Sequence, residues 1–258
     1  MLNPKNPYTL RNFLINIGFY VGFSIICVVI FFISPPAYVV LAHVKGYGPG
    51  QATRRIIWLY GRAWTLLISL FMPFERETKK KEDYPTPCII LVNHQSFFDA
   101  FCMGALPIYD VIFAVRAWPF RIPFYGPYMR TAGYLNSENM TYENFLSEAK
   151  QRLGQGVSMI IFPEGTRSKN RVLGRFYSGA FKLAMETKTP VVPICLDGTG
   201  AFLPKGKSWV RASSISLRTL EPVNPREFEQ FGEHAHIALR KAFKKIYLQE
   251  LGQVVPAN

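Results

Sequence analysis

The strongest restriction on this chain lies near its start: residues 13–33 contain no charged side chain. A helix rises about 1.5 Å per residue, so a run of this length reaches roughly 30 Å, the thickness of a bilayer's hydrocarbon core. The run is longer than the apolar part of a signal peptide. It ends at Ser34, Pro35 and Pro36. We therefore expect a retained helical membrane anchor that either crosses the bilayer or turns back at the two prolines. Lys5 and Arg11 precede it; Lys45, Arg54, Arg55 and Arg62 follow it. With more basic residues after the run, a single crossing leaves the rest of the chain in the cytoplasm.

A second apolar stretch, 56–74, contains Trp58, Tyr60, Arg62 and Trp64, and Arg55 and Arg62 fall on one helical face. This composition suits a helix lying in the interface plane. It equally suits a core helix of the following domain. Lys79, Lys80 and Lys81 then make a polar link. The expected division is a membrane-anchoring helical segment over 1–80 and an α/β domain over 81–258.

Hydrophobic residues make up 49% and aromatics 15% of the 258 residues, which excludes a largely disordered chain. Lys plus Arg number 30 against 17 Asp plus Glu, a net charge of +13. Such a balance suits a polyanionic partner, an anionic membrane surface or nucleic acid, or simply a basic solvated face. The uncharged segment and the lack of a helix-turn-helix or zinc-finger pattern argue against nucleic acid. Cys27, Cys88, Cys102 and Cys195 sit among apolar neighbours without C-x-x-C spacing. They read as reduced, buried thiols, not as a disulfide framework or zinc site.

From residue 86 the pattern alternates. The apolar runs 88–92, 111–115 and 157–162 read as buried strands, 191–195 as a strand broken by Pro193, and 214–220 as a half-exposed strand. Residues 141–153, with Thr141 as cap, and 178–186 read as helices. Leu239, Phe243 and Ile246 mark one face of a last helix. Alternation of this kind predicts an α/β fold: a mixed, largely parallel sheet flanked by helices, behind the N-terminal anchor.

Two segments carry chemistry, each directly after an apolar strand, where sites gather in α/β folds. The first is Asn93-His94-Gln95-Ser96-Phe97-Phe98-Asp99. A carboxylate on one imidazole nitrogen fixes the tautomer, and the other nitrogen can then take a proton from a hydroxyl. The second is Phe162-Pro163-Glu164-Gly165-Thr166-Arg167. Its glycine turn exposes backbone amides, and the guanidinium fork suits phosphate. Each segment alone also fits an ordinary turn with a surface pair.

Together they resemble the glycerophospholipid acyltransferases, the 1-acyl-glycerol-3-phosphate acyltransferases and their relatives. The N-H-x-S-x-x-D motif matches at Asn93, His94, Ser96 and Asp99, F-P-E-G-T-R at Phe162 through Arg167, and V-x-P-[IV] at Val191 through Ile194. The resemblance covers roughly residues 86–200. It implies direct transfer of a fatty acyl group from a thioester, acyl-CoA or an acylated carrier protein, to the free hydroxyl of a lysophospholipid. It names 1-acyl-glycerol-3-phosphate first among acceptors, and it calls for no cofactor and no metal. In that scheme His94 is the general base and Asp99 orients it, while Glu164, Gly165, Thr166, Arg167 and Arg116 bind the acceptor. The partners implied are membrane lipid, acceptor and thioester donor, at a bacterial inner membrane or endoplasmic reticulum.

One position departs from the family. Where relatives carry an arginine in an F-I-x-R pattern, this chain reads Tyr134-Leu135-Asn136-Ser137. That arginine helps hold the acceptor phosphate, so either Arg116, Arg121 or Arg130 replaces it, or the acceptor is another lysolipid such as a lyso-aminolipid. His234 and His236, two apart on an expected helix, face different directions and do not suit a metal site. Lys241, Lys244 and Lys245 read as a solvated face.

Overall fold

A computed structural model describes residues 9–123, 125–168 and 171–253; Lys5, used above for orientation, lies outside them. In chain order the elements are α1 (Leu10–Val39), α2 (Pro49–Phe71), β1 (Phe74–Glu77), β2 (Ile89–Val92), α3 (Asp99–Cys102), β3 (Val111–Val115), α4 (Tyr125–Ala132) and β4 (Leu135–Asn136). There follow α5 (Tyr142–Gly154), β5 (Ser158–Ile161), α6 (Gly179–Thr187), β6 (Val191–Asp197), α7 (Thr199–Phe202), β7 (Ile215–Thr219) and α8 (Ala235–Glu250). The strands form one seven-stranded sheet in the order β1-β7-β6-β2-β5-β3-β4. Every pairing is parallel except β6 with β7. The expected mixed, largely parallel sheet is thus what forms.

The central strands are buried on both faces, as crossover helices require. Ile89 and Leu91 point with Met159 and Val191 into a core shared with Leu153, Phe181, Leu239 and Phe243 of the helices. Ile90 and Val92 point the other way, with Ile160, Val192 and Ile194, against Cys102, Met103 and Leu106. Thr141 caps α5 by accepting the Asn144 N–H at 3.3 Å. On α8 the buried residue after Phe243 is Tyr247, not the expected Ile246. Its hydroxyl donates to the Leu91 carbonyl (2.6 Å) and accepts from Ile194 N (3.2 Å), so a polar group is worth burying there.

Three expectations change. The strand at 191–195 is not broken at Pro193: β6 runs on to Asp197, and the Pro193 carbonyl still accepts the Leu220 N–H at 2.9 Å. β1 lies within the stretch read as anchor, yet it pairs with β7 along the sheet edge. Its sequence, Phe-Glu-Arg-Glu, has too much charge to look like a strand, and edge strands tolerate charge. The N-terminal helix does not turn back at Pro35 and Pro36; it passes through both and ends in a π-helical turn, Val40–Val44. Pro35 carries no N–H to continue the helical ladder, and the Ser34 hydroxyl donates to the Phe31 carbonyl at 3.5 Å.

α1 and α2 form an antiparallel hairpin, with Gly18 beside Phe71, Gly22 beside Leu67, and Cys27 Sγ 3.4 Å from the Tyr60 hydroxyl. α2 packs as a core helix along one face and leaves another exposed. Ile56, Tyr60, Trp64 and Ile68 face inward, while Leu59, Leu66 and Leu70 are exposed. Arg54 anchors it to the domain through Asp110 (Nε to Oδ1, 2.5 Å) and the Ala132 carbonyl (3.0 Å). Backbone touches backbone where Gly61 meets Gly104: a Cβ on Gly104 would lie 2.2 Å from the Gly61 carbonyl carbon. Along α1, Leu10, Leu14, Ile17, Val21, Ile25, Val28 and Phe32 stay exposed. Leu10–Val44 is long and apolar enough to cross a membrane, with a mean hydropathy of 2.5. A continuous apolar face of this kind is stable against lipid, not water.

Candidate active site

β2, β3, β5 and β6 run parallel through the centre, so their carboxyl ends open on one rim, and the candidate residues leave the sheet there. At the end of β2 the Asn93 side chain pins the chain to β6: its amide donates to the Leu196 carbonyl and its oxygen accepts the Leu196 N–H, both at 2.7 Å. The next residue, His94, turns out of the ladder. Asp99 opens α3 and folds back on it, placing Oδ2 2.8 Å from His94 Nδ1. The same oxygen accepts the N–H groups of Gln95 (2.6 Å) and Ser96 (2.8 Å). Asp99 is fully buried, so only bonds of this kind make its charge tolerable. An ionised carboxylate accepts only, which puts the imidazole proton on Nδ1 and leaves Nε2 as the basic nitrogen. The ring lies on Phe162, centroids 4.2 Å apart.

Aromatic rings back this turn. Phe98, immediately before Asp99, touches Phe19 of α1 (5.5 Å), Trp64 of α2 (5.3 Å) and Phe202 of α7 (5.1 Å). The helical hairpin therefore reaches the residue that precedes Asp99.

The second segment follows β5. Glu164 turns inward and is buried. Its Oε1 accepts the His94 N–H (2.8 Å) and its Oε2 the Gly174 N–H (2.7 Å). Burial raises its carboxyl above the ordinary range, although these two bonds pull the other way. The resemblance implies that Glu164 binds the acceptor; here both of its oxygens hold main chain. Gly174, which nothing in the pattern singled out, permits this: a Cβ there would sit 2.6 Å from Glu164 Oε2. Ser168 N donates back to the His94 carbonyl at 2.7 Å, closing the two segments on each other.

Gly165 has φ 63°, a conformation that costs glycine little, and with Thr166 it is exposed on the rim. Arg167 is half-buried. Sequence reasoning missed Lys205, which comes from the loop after α7. Its ammonium donates to Thr166 Oγ1 (3.0 Å) and to the Arg167 carbonyl (3.1 Å). Only the fold brings it here, so periodicity and spacing carried no sign of it.

Arg116 and Arg130 have partners of their own. Arg116 is paired with Glu138 at 2.5 Å, and Glu138 also accepts the Ala117 N–H at 2.8 Å. Arg130 donates to the Phe120 carbonyl at 3.0 Å. Arg121 and Arg130 line, with Arg152, a cavity of about 470 Å³ beyond β4 in which no residue of the two motifs takes part. Ser137 donates to the Val115 carbonyl at 3.1 Å and is exposed. Among the described residues no group of three or more His, Cys, Asp or Glu is placed to hold a metal ion.

Residues 75–197 match the family model described as Acyltransferase. The chain is 35% identical over 149 residues to a chloroplastic 1-acyl-sn-glycerol-3-phosphate acyltransferase of Brassica napus, an alignment covering 55% of this chain but 43% of the relative. It is 27% identical over 213 residues to the beta 1-acyl-sn-glycerol-3-phosphate acyltransferase of Homo sapiens, covering 80% and 74%. The chain thus spans less than half the length of the plastid relative. Its fold is that of the crystal structure of the 1-acyl-sn-glycerophosphate acyltransferase of Thermotoga maritima, with a TM-score of 0.72 over 96% of this chain and 99% of that one, at 23% identity.

Proposed function

We propose, from the premise that residues 75–197 are an acyltransferase domain of the glycerophospholipid type, that this chain moves a fatty acyl group from a thioester to the free hydroxyl of 1-acyl-glycerol-3-phosphate, giving phosphatidic acid. The observation that carries the reading is the His94–Asp99 pair at 2.8 Å on the carboxyl rim of the sheet. His94 Nε2 takes the acceptor's hydroxyl proton as the oxygen attacks the thioester carbonyl. The C–S bond breaks, and the proton passes from His94 to the departing thiolate. Asp99 holds the ring and supports its transient positive charge. A base so placed contributes about 10²–10⁴-fold. Gly165, Thr166 and Arg167 meet the acceptor's polar end, and Glu164 acts through the backbone of His94. The donor is acyl-CoA or an acylated carrier protein, both of which present the same thioester.

The exposed face of α1 holds the rim near the bilayer, so the lysolipid need not leave the membrane entirely. We place the sheet domain on the cytoplasmic side of a bacterial inner membrane or endoplasmic reticulum. A second reading keeps the chemistry and changes the acceptor to another lysolipid; Ser137 at the position of the family's arginine favours it. Transfer from labelled palmitoyl thioester to a panel of lysolipids, with His94→Ala beside the parent, decides between them. Product from lysophosphatidate that disappears in the variant supports the first reading. Product only from another lysolipid supports the second, and no product from any acceptor sinks both.

A further inference from the structure

An acceptor that ends in a phosphate monoester brings up to two negative charges to the rim. The family's arginine is missing at Ser137; of the arginines nearest to it in sequence, Arg116 pairs with Glu138 and Arg130 donates to the Phe120 carbonyl, while Arg121 and Arg130 line a cavity in which no residue of the two motifs takes part. At the turn after β5, Arg167 and Lys205 lie together, Lys205 Nζ donating to the Arg167 carbonyl. Neither has a carboxylate partner among the described residues. The acids of the two motifs, Asp99 and Glu164, are buried and already bonded to main-chain N–H groups.

We infer that Lys205 is the acceptor-phosphate residue of this chain, supplying from the loop after α7 the positive charge absent at Ser137. The inference rests on the reading proposed above and assigns one of its substrate contacts. An ammonium has three donors. Two are used on Thr166 Oγ1 and the Arg167 carbonyl, which fix the group over the Gly165 turn. The third has no partner among the described residues, and Lys205 is exposed. Holding the ammonium by neutral oxygens leaves its charge uncompensated, which is the condition an anion site needs. Lys205 and Arg167 then form a pair of cations on one turn. The paired cations have a consequence for selectivity: they favour a phosphate monoester over a phosphodiester headgroup, because the monoester brings up to two negative charges and the diester one.

The test uses the full chain in detergent or vesicles with lysophosphatidate and a palmitoyl thioester, comparing the parent with Lys205→Met and Lys205→Arg. Lys205→Met is expected to raise the KM for lysophosphatidate about tenfold, the effect of losing one solvent-accessible charge-assisted hydrogen bond. It should leave kcat within about twofold and the donor KM unchanged, since no transition-state contact is removed. Lys205→Arg should bring the acceptor KM back to within about threefold of the parent, because charge is restored on a longer, forked group. An unchanged acceptor KM in Lys205→Met overturns the inference. So does a fall in kcat with a shifted donor KM that Lys205→Arg does not repair, which is what loss of a strut beneath the turn produces. A parent chain that makes no product from lysophosphatidate removes the proposed function and this inference together, so the two failures are told apart.

Discussion

His94 and Asp99 are supported from two sides by different physics. On the β5 side the support is polar and directional: Glu164 bonds the backbone of His94 and Gly174, and Asn93 bonds both polar groups of Leu196. On the hairpin side it is aromatic: Phe98 packs among Phe19, Trp64 and Phe202 with no hydrogen bond between them. Polar bonds set where the main chain of His94 runs to within a few tenths of an ångström, and each one lost strands a buried partner. Ring packing is tolerant of direction, but it buries large area and so dominates stability. The difference teaches that a change on the polar side should damage turnover first, and a change on the aromatic side should damage the fold first.

The largest effect is expected where both supports converge. His94→Ala should lower kcat about 10²–10⁴-fold while the unfolding midpoint stays near that of the parent, as read by labelled acyl transfer and thermal melting. Next, Phe98→Ala should cost about 3–5 kcal/mol in denaturant unfolding, the range for emptying a buried aromatic site. If Phe98→Ala instead leaves stability intact and lowers only kcat, the division between the two sides is wrong. Glu164→Ala leaves the N–H groups of His94 and Gly174 bare, a loss of about 2–4 kcal/mol at the usual cost per buried donor. Its kcat should fall by more than its stability accounts for, because the displaced backbone carries the base.

Gly174→Ala sharpens the same point more gently. Its Cβ would crowd Glu164 Oε2 at 2.6 Å, so the clamp must shift, and we expect about 1–3 kcal/mol of destabilisation with a parallel loss of turnover. The smallest effect is a pH slope. Burial raises the Glu164 carboxyl, so the folded chain holds that proton more tightly than the unfolded chain does. Stability contributed by this group therefore falls as pH rises from the ordinary glutamate range to the raised value. Glu164→Gln should flatten the slope in melts across that window; an unchanged slope would show that another group sets it.

The sheet was legible because its central strands are buried on both faces and so read as unbroken apolar runs; 88–92 and 111–115 needed nothing else. β1 and β4 were not, since a charged edge strand and a strand of two residues have no periodicity to detect. Pro193 misled for a local reason: proline weakens a strand on average, but its carbonyl remains an acceptor, and Leu220 uses it. In the site, the His94–Asp99 contact could be anticipated from a five-residue reach across a turn. The inward rotation of Glu164 could not, because a glutamate beside an arginine fits a surface pair just as well.

The sequence by itself determined what depends on near neighbours along the chain: the apolar run of α1, the strand–helix alternation, and the two motifs that follow β2 and β5. These rest on periodicity and on turn chemistry, which act over a few residues. Only the tertiary structure decided which groups meet across long separations. It set Phe19 against Phe98, Gly174 against Glu164, and Lys205 against Thr166. It also decided which arginines were already taken. Those outcomes come from packing and from competition for partners in a closed interior, where a donor bonded to one acceptor is no longer free for another.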